Sequence, residues 1–246
     1  MIYDIVVKRS LVLGSFLVAF LAAGSTNALL GQDQAARLRE AYSPEAAAQI
    51  EAVVEAARSN GVPVAPLYDK AIEGAAKNIP AARVMPALRE LSGRMQRAQN
   101  LLGGTRELAW VVAGADALLK GVQGDALTLI GQDAGSRTPM ALVVMSDLVE
   151  DGVPAGRAME VMREALVRTT GDEGLQDVTT QLRRLVRDGA LARDAAGEVL
   201  RAMRDGVPLR RMRDSAPRRP DAGPDARPIA RPIPQGSDPT RDRPPV

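Results

Sequence analysis

The chain has 246 residues, with 32 basic and 30 acidic side chains and a formal net charge of +2. It contains no cysteine and no histidine, and aromatic residues make up 2%. These absences exclude disulfides, thiolate nucleophiles, Ser-His-Asp catalysis and zinc or haem sites ligated through histidine or cysteine.

Residues 1–28 read as an export signal. Lys8 and Arg9 close a short basic region, Leu11 to Ala23 is an uncharged stretch of 13 residues, and Gly24-Ser25-Thr26-Asn27-Ala28 offers small residues with Ala28 at the cleavage position. Basic end, short apolar run and small-residue exit, in that order, form the secretory pattern. The run is shorter than the roughly 20 residues that cross a bilayer. An uncleaved inner-membrane anchor is the alternative, because Ala28-Leu29-Leu30 continues apolar past the site, and membrane contact is expected only in that case. The mature protein is expected in the periplasm or the medium, resting on its apolar core without disulfides.

Residues 29–213 predict an all-α domain, an irregular stack of α-hairpins resembling a solenoid. Ser43-Pro44-Glu45 is an N-cap followed by proline at the first helical position, and the helix it opens should stop at Gly61. Pro66 and Pro80 can open the next two, the second running to Gly103-Gly104 with a kink or a later start at Pro86. Further helices are expected at about 105–120, 125–134, 139–151, 155–168, 173–188 and 191–205. In the helix after Pro66, Asp69, Lys70, Glu73 and Lys77 share a polar face against Leu67, Ala71 and Ala75. The runs Leu108–Ala115 and Met140–Met145 are apolar all round, which suits the middle of a stack, and Trp110 reads as core.

The stop signals repeat. Asn60-Gly61-Val62-Pro63, Asp151-Gly152-Val153-Pro154 and Asp205-Gly206-Val207-Pro208 match, and Asp188-Gly189 is a partial copy. An offset of 91 lays Glu73 on Glu164 and Lys77 on Arg168. Shorter echoes relate Leu148–Gly152 to Leu185–Gly189 at an offset of 37, and Glu160–Arg163 to Glu198–Arg201 at 38. Periods of this size fit paired helices in a degenerate repeat. The segment Gly61-Val62-Pro63, Pro66-Leu67, Lys70, Glu73-Gly74-Ala75-Ala76-Lys77, Pro80 and Arg83-Val84 resembles helical hairpins in uncharacterised exported bacterial proteins. That resemblance implies an all-helical exported protein and no particular reaction, ligand or catalytic residue.

Residues 214–246 change character. Nine of these 33 residues are proline, six are arginine and five are aspartate, with Ile229, Ile233 and Val246 the only large apolar side chains. Such a segment is expected to be a disordered Pro/Arg-rich tail, because it buries too little to offset its ordering entropy.

No phosphate-loop, nucleophile-elbow or calcium-loop motif is present, and no cofactor or metal ligand set can be assembled. Glu73 and Glu164 are the candidates if the chain is instead a wall-glycan hydrolase working through one glutamate. Their bland role, carboxylates paired with Lys77 and Arg168 on helix faces, is the preferred reading, so no catalytic residue is assigned. Charge is uneven: residues 29–181 carry 15 bases and 20 acids, whereas 182–213 carry nine bases and four acids. Arg183, Arg184, Arg187, Arg201, Arg204, Arg210, Arg211 and Arg213 therefore form a candidate basic patch for an anionic partner. The sequence thus points to an exported non-enzymatic protein that binds or scaffolds an envelope protein or anionic envelope component, with no nucleic acid expected.

Overall fold

Between Pro44 and Ser59 the buried positions are Ala47, Ile50, Val54 and Ala57, steps of three and four that put one apolar stripe on a helix. Pro44 opens this helix in its first turn, and the Ser43 hydroxyl accepts the Ala46 N–H at 3.3 Å. The same logic recurs along the chain. The structure, a computed structural model, describes residues 27–213, apart from the side chains of 27–32, 211 and 213.

Among the described residues there are ten α-helices and no strand: α1 (Asn27–Ala41), α2 (Pro44–Ser59), α3 (Ala65–Ala76), α4 (Ala81–Leu101), α5 (Leu108–Leu119), α6 (Gly124–Asp133), α7 (Thr138–Glu150), α8 (Ala155–Arg168), α9 (Gly171–Arg187) and α10 (Ala192–Arg204). Short 3-10 turns occupy Gly135–Arg137 and Leu209–Arg213. No helix among the described residues is long and apolar enough to cross a membrane.

The glycine stops act as reversals of the chain. Gly61, Gly121, Gly152, Gly189 and Gly206 all have positive φ, from +70° to +103°. In each case the next residue donates its N–H to the carbonyl five positions back, as Val153 does to Leu148 and Val122 to Ala117, both at 2.9 Å. This is the Schellman termination, and it leaves the helix end satisfied within two residues. Asn78, at φ 54°, fills the same role for α3, with Ile79 donating to Gly74. Asn78, Gly121, Gly152 and Gly189 sit at the bends α3–α4, α5–α6, α7–α8 and α9–α10, spaced by 43, 31 and 37 residues.

The packing is that of an irregular solenoid. Every helix touches its neighbours in sequence, and α1 packs on α3, α2 on α4, α4 on α6, α5 on α7, α7 on α9 and α8 on α10. Among the described residues no extensive contact joins helices more than two apart in the chain, which makes the stack quasi-one-dimensional. The regularity breaks twice, since α3 with α5 and α6 with α8 make no such contact. α4 and α7 compensate, each lying against four other helices. The α4–α5 crossing is close because Gly114 faces Ala98 and Leu102; a Cβ there would lie 2.9 Å from the Ala98 Cβ. At the C-terminal end Leu209 and Met212 are buried against α9 and α10, and Arg184 Nη2 donates to the Met212 carbonyl at 3.0 Å. That turn caps the last hairpin, as a terminal repeat requires.

The two short sequence echoes join helices that lie side by side: α7 with α9 at an offset of 37, and α8 with α10 at 38. The offset of 91 instead lays α3 over α8, five helices further on. An odd step sets a helix of one run against a helix of the other, so Glu73 and Glu164 do not hold equivalent places in the stack. The expected breaks are otherwise close to the observed ones, with three differences. α1 was not expected, and it runs through the Ala28–Leu29 bond. α4 starts at Ala81 with Pro80 as its N-cap and runs through Pro86, so the later start is not found. The buried face of α3 is Leu67, Tyr68, Ala71 and Gly74; Ala75 is only half-buried. Trp110 is half-buried and packs against the core. Residues 1–26, the rest of the segment expected to be an export signal, and the Pro/Arg-rich segment 214–246 lie outside the described residues.

Candidate anion-binding groove

The described arginines of the basic end have different surroundings. Arg183 on α9 reaches across to α7, with Nε 2.7 Å from Asp151 and Nη2 3.3 Å from Asp147. Arg210 pairs with Asp177 at 2.7 Å and Glu173 at 3.1 Å on α9. Arg184 bonds Gln181 and the Met212 carbonyl, a structural use of its fork. Arg187 is exposed at the end of α9, while the side chains of Arg211 and Arg213 lie outside the described residues. Arg183, Arg184 and Arg210 are thus engaged by partners within the fold. Two of these charges, Arg183 and Arg210, are matched by acids that precede them by 32 to 37 residues, on an adjacent helix.

Arg201 and Arg204 meet in a different place. α8 and α10 lie side by side with their buried stripes, Ala158, Val161, Met162 and Ala165 on one and Ala195, Ala196, Val199, Leu200, Ala202 and Met203 on the other, turned into the core. Above that seam a groove of about 270 Å³ is lined by Arg157 from α8, by Gly197, Leu200, Arg201 and Arg204 from α10, and by Asp205 at the C-cap of α10. Gly197, Arg201 and Arg204 follow at steps of four and three, so one face of α10 carries all three. Leu200, 2% exposed, gives the floor its apolar part. Arg157 was not singled out from sequence because it sits within the net-acidic stretch and its neighbours in the groove are 40 and more residues away.

The groove is basic but partly countered. Arg157 Nη1 donates to Glu160 at 2.6 Å. Glu164 is shared: Arg168 lies at 2.8 Å on the same helix, and Arg204 reaches it more loosely at 3.6 Å. Arg201 has no carboxylate within ion-pair distance among the described residues. Asp205 caps the C-terminal end of α10, where the helix carbonyls also disfavour an anion. The opposite end of the groove is at the start of α8, where the dipole favours negative charge. An anion is thus best placed toward Arg157, Gly197 and Arg201.

The two glutamates weighed for hydrolysis are held differently. Glu73 bonds Lys77 and Lys70, and those bonds hold its carboxyl below the ordinary glutamate value despite some burial. A general acid needs the reverse, a carboxyl kept protonated near neutral pH. Glu164 is engaged by two arginines, and the two glutamates stand on α3 and α8, helices that make no extensive contact. Among the described residues no group of three or more acidic side chains is arranged to hold a metal ion. Comparison of the chain with known proteins found no matching family model, no matching curated protein and no matching solved structure.

Proposed function

We propose that this chain is an exported, non-enzymatic helical-repeat protein that binds an anionic component of the cell envelope through the outer face of its last two hairpins. The observation that carries this reading is the convergence of Arg157, Arg201 and Arg204 on one groove, with Arg201 lacking a carboxylate partner among the described residues. The pattern of Lys8-Arg9, apolar run and Ala28 supports export. A solenoid binds through an extended surface built from adjacent repeats, and this groove is built from two of them.

The test is in-cell crosslinking and co-purification of the full-length protein beside a variant carrying Arg157→Gln, Arg201→Gln and Arg204→Gln. A defined envelope component should be recovered with the parent and lost with the triple variant. Equal recovery from both, or recovery of nothing above background from either, would overturn the reading. Mass spectrometry of the exported protein should give an N-terminus near Leu29; an intact N-terminus would favour the anchored form.

A further inference from the structure

Resting on that reading, we infer that the α8–α10 groove takes a single phosphoryl group, a phosphomonoester or phosphodiester, rather than a carboxylate or an extended polyanion. Its three cations are all arginine. A planar guanidinium presents two parallel N–H donors to a pair of oxyanion oxygens, and a phosphoryl group offers oxygens in more than one plane, so forks from two helices can engage it together. Arg157 lines the groove from α8 and Arg201 from α10, so the two forks come from different helices. Their neighbouring pairs leave them available: Glu160 holds only Nη1 of Arg157, and the Glu164–Arg204 contact at 3.6 Å is long enough to yield to a competing anion.

Gly197 is the second observation. It lies in the interior of α10, where glycine is about 1 kcal/mol less favourable than alanine. A Cβ built there would meet nothing within 4 Å, so packing gives no reason for the glycine. What it does is leave the floor of the groove bare between Arg157 and Arg201, so that a ligand can approach the helix closely beside the apolar edge of Leu200. The volume, about 270 Å³, is just below the range of drug-sized pockets and suits a headgroup or a small ester. Asp205 closes the far end with a negative charge, which opposes a run of successive phosphates along the groove.

The experiment is an NMR titration of the 15N-labelled mature protein, following the Gly197 amide and the Arg Nε–H groups, with inorganic phosphate and with acetate at matched ionic strength. Phosphate should give saturable shifts at these positions and acetate only non-saturating ones. Arg201→Gln should weaken phosphate binding about tenfold, the loss of one charge-assisted hydrogen bond. Gly197→Leu should abolish it while the remaining amide shifts stay in place, because the site above Gly197 is open. Sedimentation with phosphatidylglycerol vesicles, against phosphatidylcholine vesicles, separates the sources. Binding lost in both variants identifies a lipid headgroup, whereas phosphate binding without vesicle binding identifies a soluble ester. Equal shifts with phosphate and acetate, no saturation with either probe, or variants that bind like the parent would overturn the inference. A flat phosphate titration beside a crosslinked partner still lost in the triple variant removes the phosphoryl assignment alone; a flat titration with no partner removes both.

Discussion

Arg183 Nε donates to Asp151 Oδ2 at 2.7 Å, tying the middle of α9 to the C-terminal end of α7. The same guanidinium lies 3.3 Å from Asp147, and on the other side of α7 Lys120 of α5 lies 3.3 Å from Glu150. A row of charges therefore crosses α5, α7 and α9, helices that also pack side by side. Exposed ion pairs contribute little, up to about 1 kcal/mol each, and Arg183 is nearly half exposed. Its removal acts mainly through what it leaves behind, two adjacent carboxylates on α7. Arg183→Gln should lower stability by about 1 kcal/mol in urea unfolding, and Asp147→Asn in the same chain should recover most of that. A double variant no more stable than Arg183→Gln would remove the like-charge account.

Two carboxylates make opposite contributions to the pH dependence of folding. Burial pushes the Asp147 carboxyl above its ordinary value in spite of Arg183 and Lys120. The folded chain thus holds this proton more tightly than the unfolded one, and stability falls as pH rises from the ordinary aspartate value through the raised folded one. Glu73 is the reverse, held low by Lys77 and Lys70. Its contribution is present above the ordinary glutamate value and is lost as pH falls through the lowered folded value. Unfolding free energies measured across the acid range should show Asp147→Asn gaining on the parent as pH rises, and Glu73→Gln losing less than the parent as pH falls. Parallel curves for all three proteins would contradict both assignments.

The helix stops were legible because each is a local event: glycine at positive φ and a following apolar residue, all within five positions of the chain. Asn78-Ile79-Pro80 performs the same stop without the glycine, and Gly121-Val122 without the proline, that made the other copies conspicuous. α1 was not legible because Leu38 is the one fully buried side chain described on it, so its sequence carries no stripe. Charge summed along the chain leaves out the partners that folding brings near. Summing along the chain sets residues 182–213 apart as basic, but in a stack of hairpins the nearest partner lies one repeat away, and Arg183 and Arg210 are matched across that distance. The groove escaped for the same reason, since Arg157 belongs to one hairpin and Arg201 to the next.

Gly74 and Gly93 are helix-interior glycines with opposite surroundings. A Cβ on Gly74 would lie 2.7 Å from Val84 Cγ2 and 3.2 Å from the Tyr42 hydroxyl, which donates to the Ala71 carbonyl at 2.8 Å. A Cβ on Gly93 would meet nothing within 4 Å. Gly74→Ala should therefore destabilise by about 1–3 kcal/mol through overpacking. Gly93→Ala should stabilise by up to about 1 kcal/mol through helix propensity. Chemical denaturation of both variants checks the pair, and a stabilising Gly74→Ala would show that α3 and α4 do not approach this closely.

Gly152 carries φ +86° at the bend between α7 and α8, and its Cβ position has room, with Ala192 Cβ the nearest atom at 3.9 Å. The cost of a side chain there is conformational alone. Gly152→Ala should lose about 1–2 kcal/mol, the penalty of a left-handed alanine, without altering the helical content seen by circular dichroism. An unchanged midpoint would mean that the bend does not require the left-handed residue.

α8 ends differently from the helices around it, on an extended Thr169 rather than a glycine. Its last carbonyls are answered from outside. Arg137, in the turn between α6 and α7, donates Nη2 to Leu166 O at 2.8 Å and Nη1 to Thr169 O at 2.9 Å. This is also where the stack is irregular, since α6 and α8 make no extensive contact. One guanidinium thus closes a helix end and ties the turn between α6 and α7 to it. Both hydrogen bonds are partly shielded and charge-assisted, so Arg137→Met should cost about 2 kcal/mol in urea unfolding. It should also raise hydrogen exchange in the last turn of α8 ahead of the other helices. Arg137→Lys should recover less than half of the loss, because one ammonium cannot reproduce a fork spanning two carbonyls. Full recovery by lysine, or a methionine variant as stable as the parent, would show that the end of α8 is held by Thr169 and water instead.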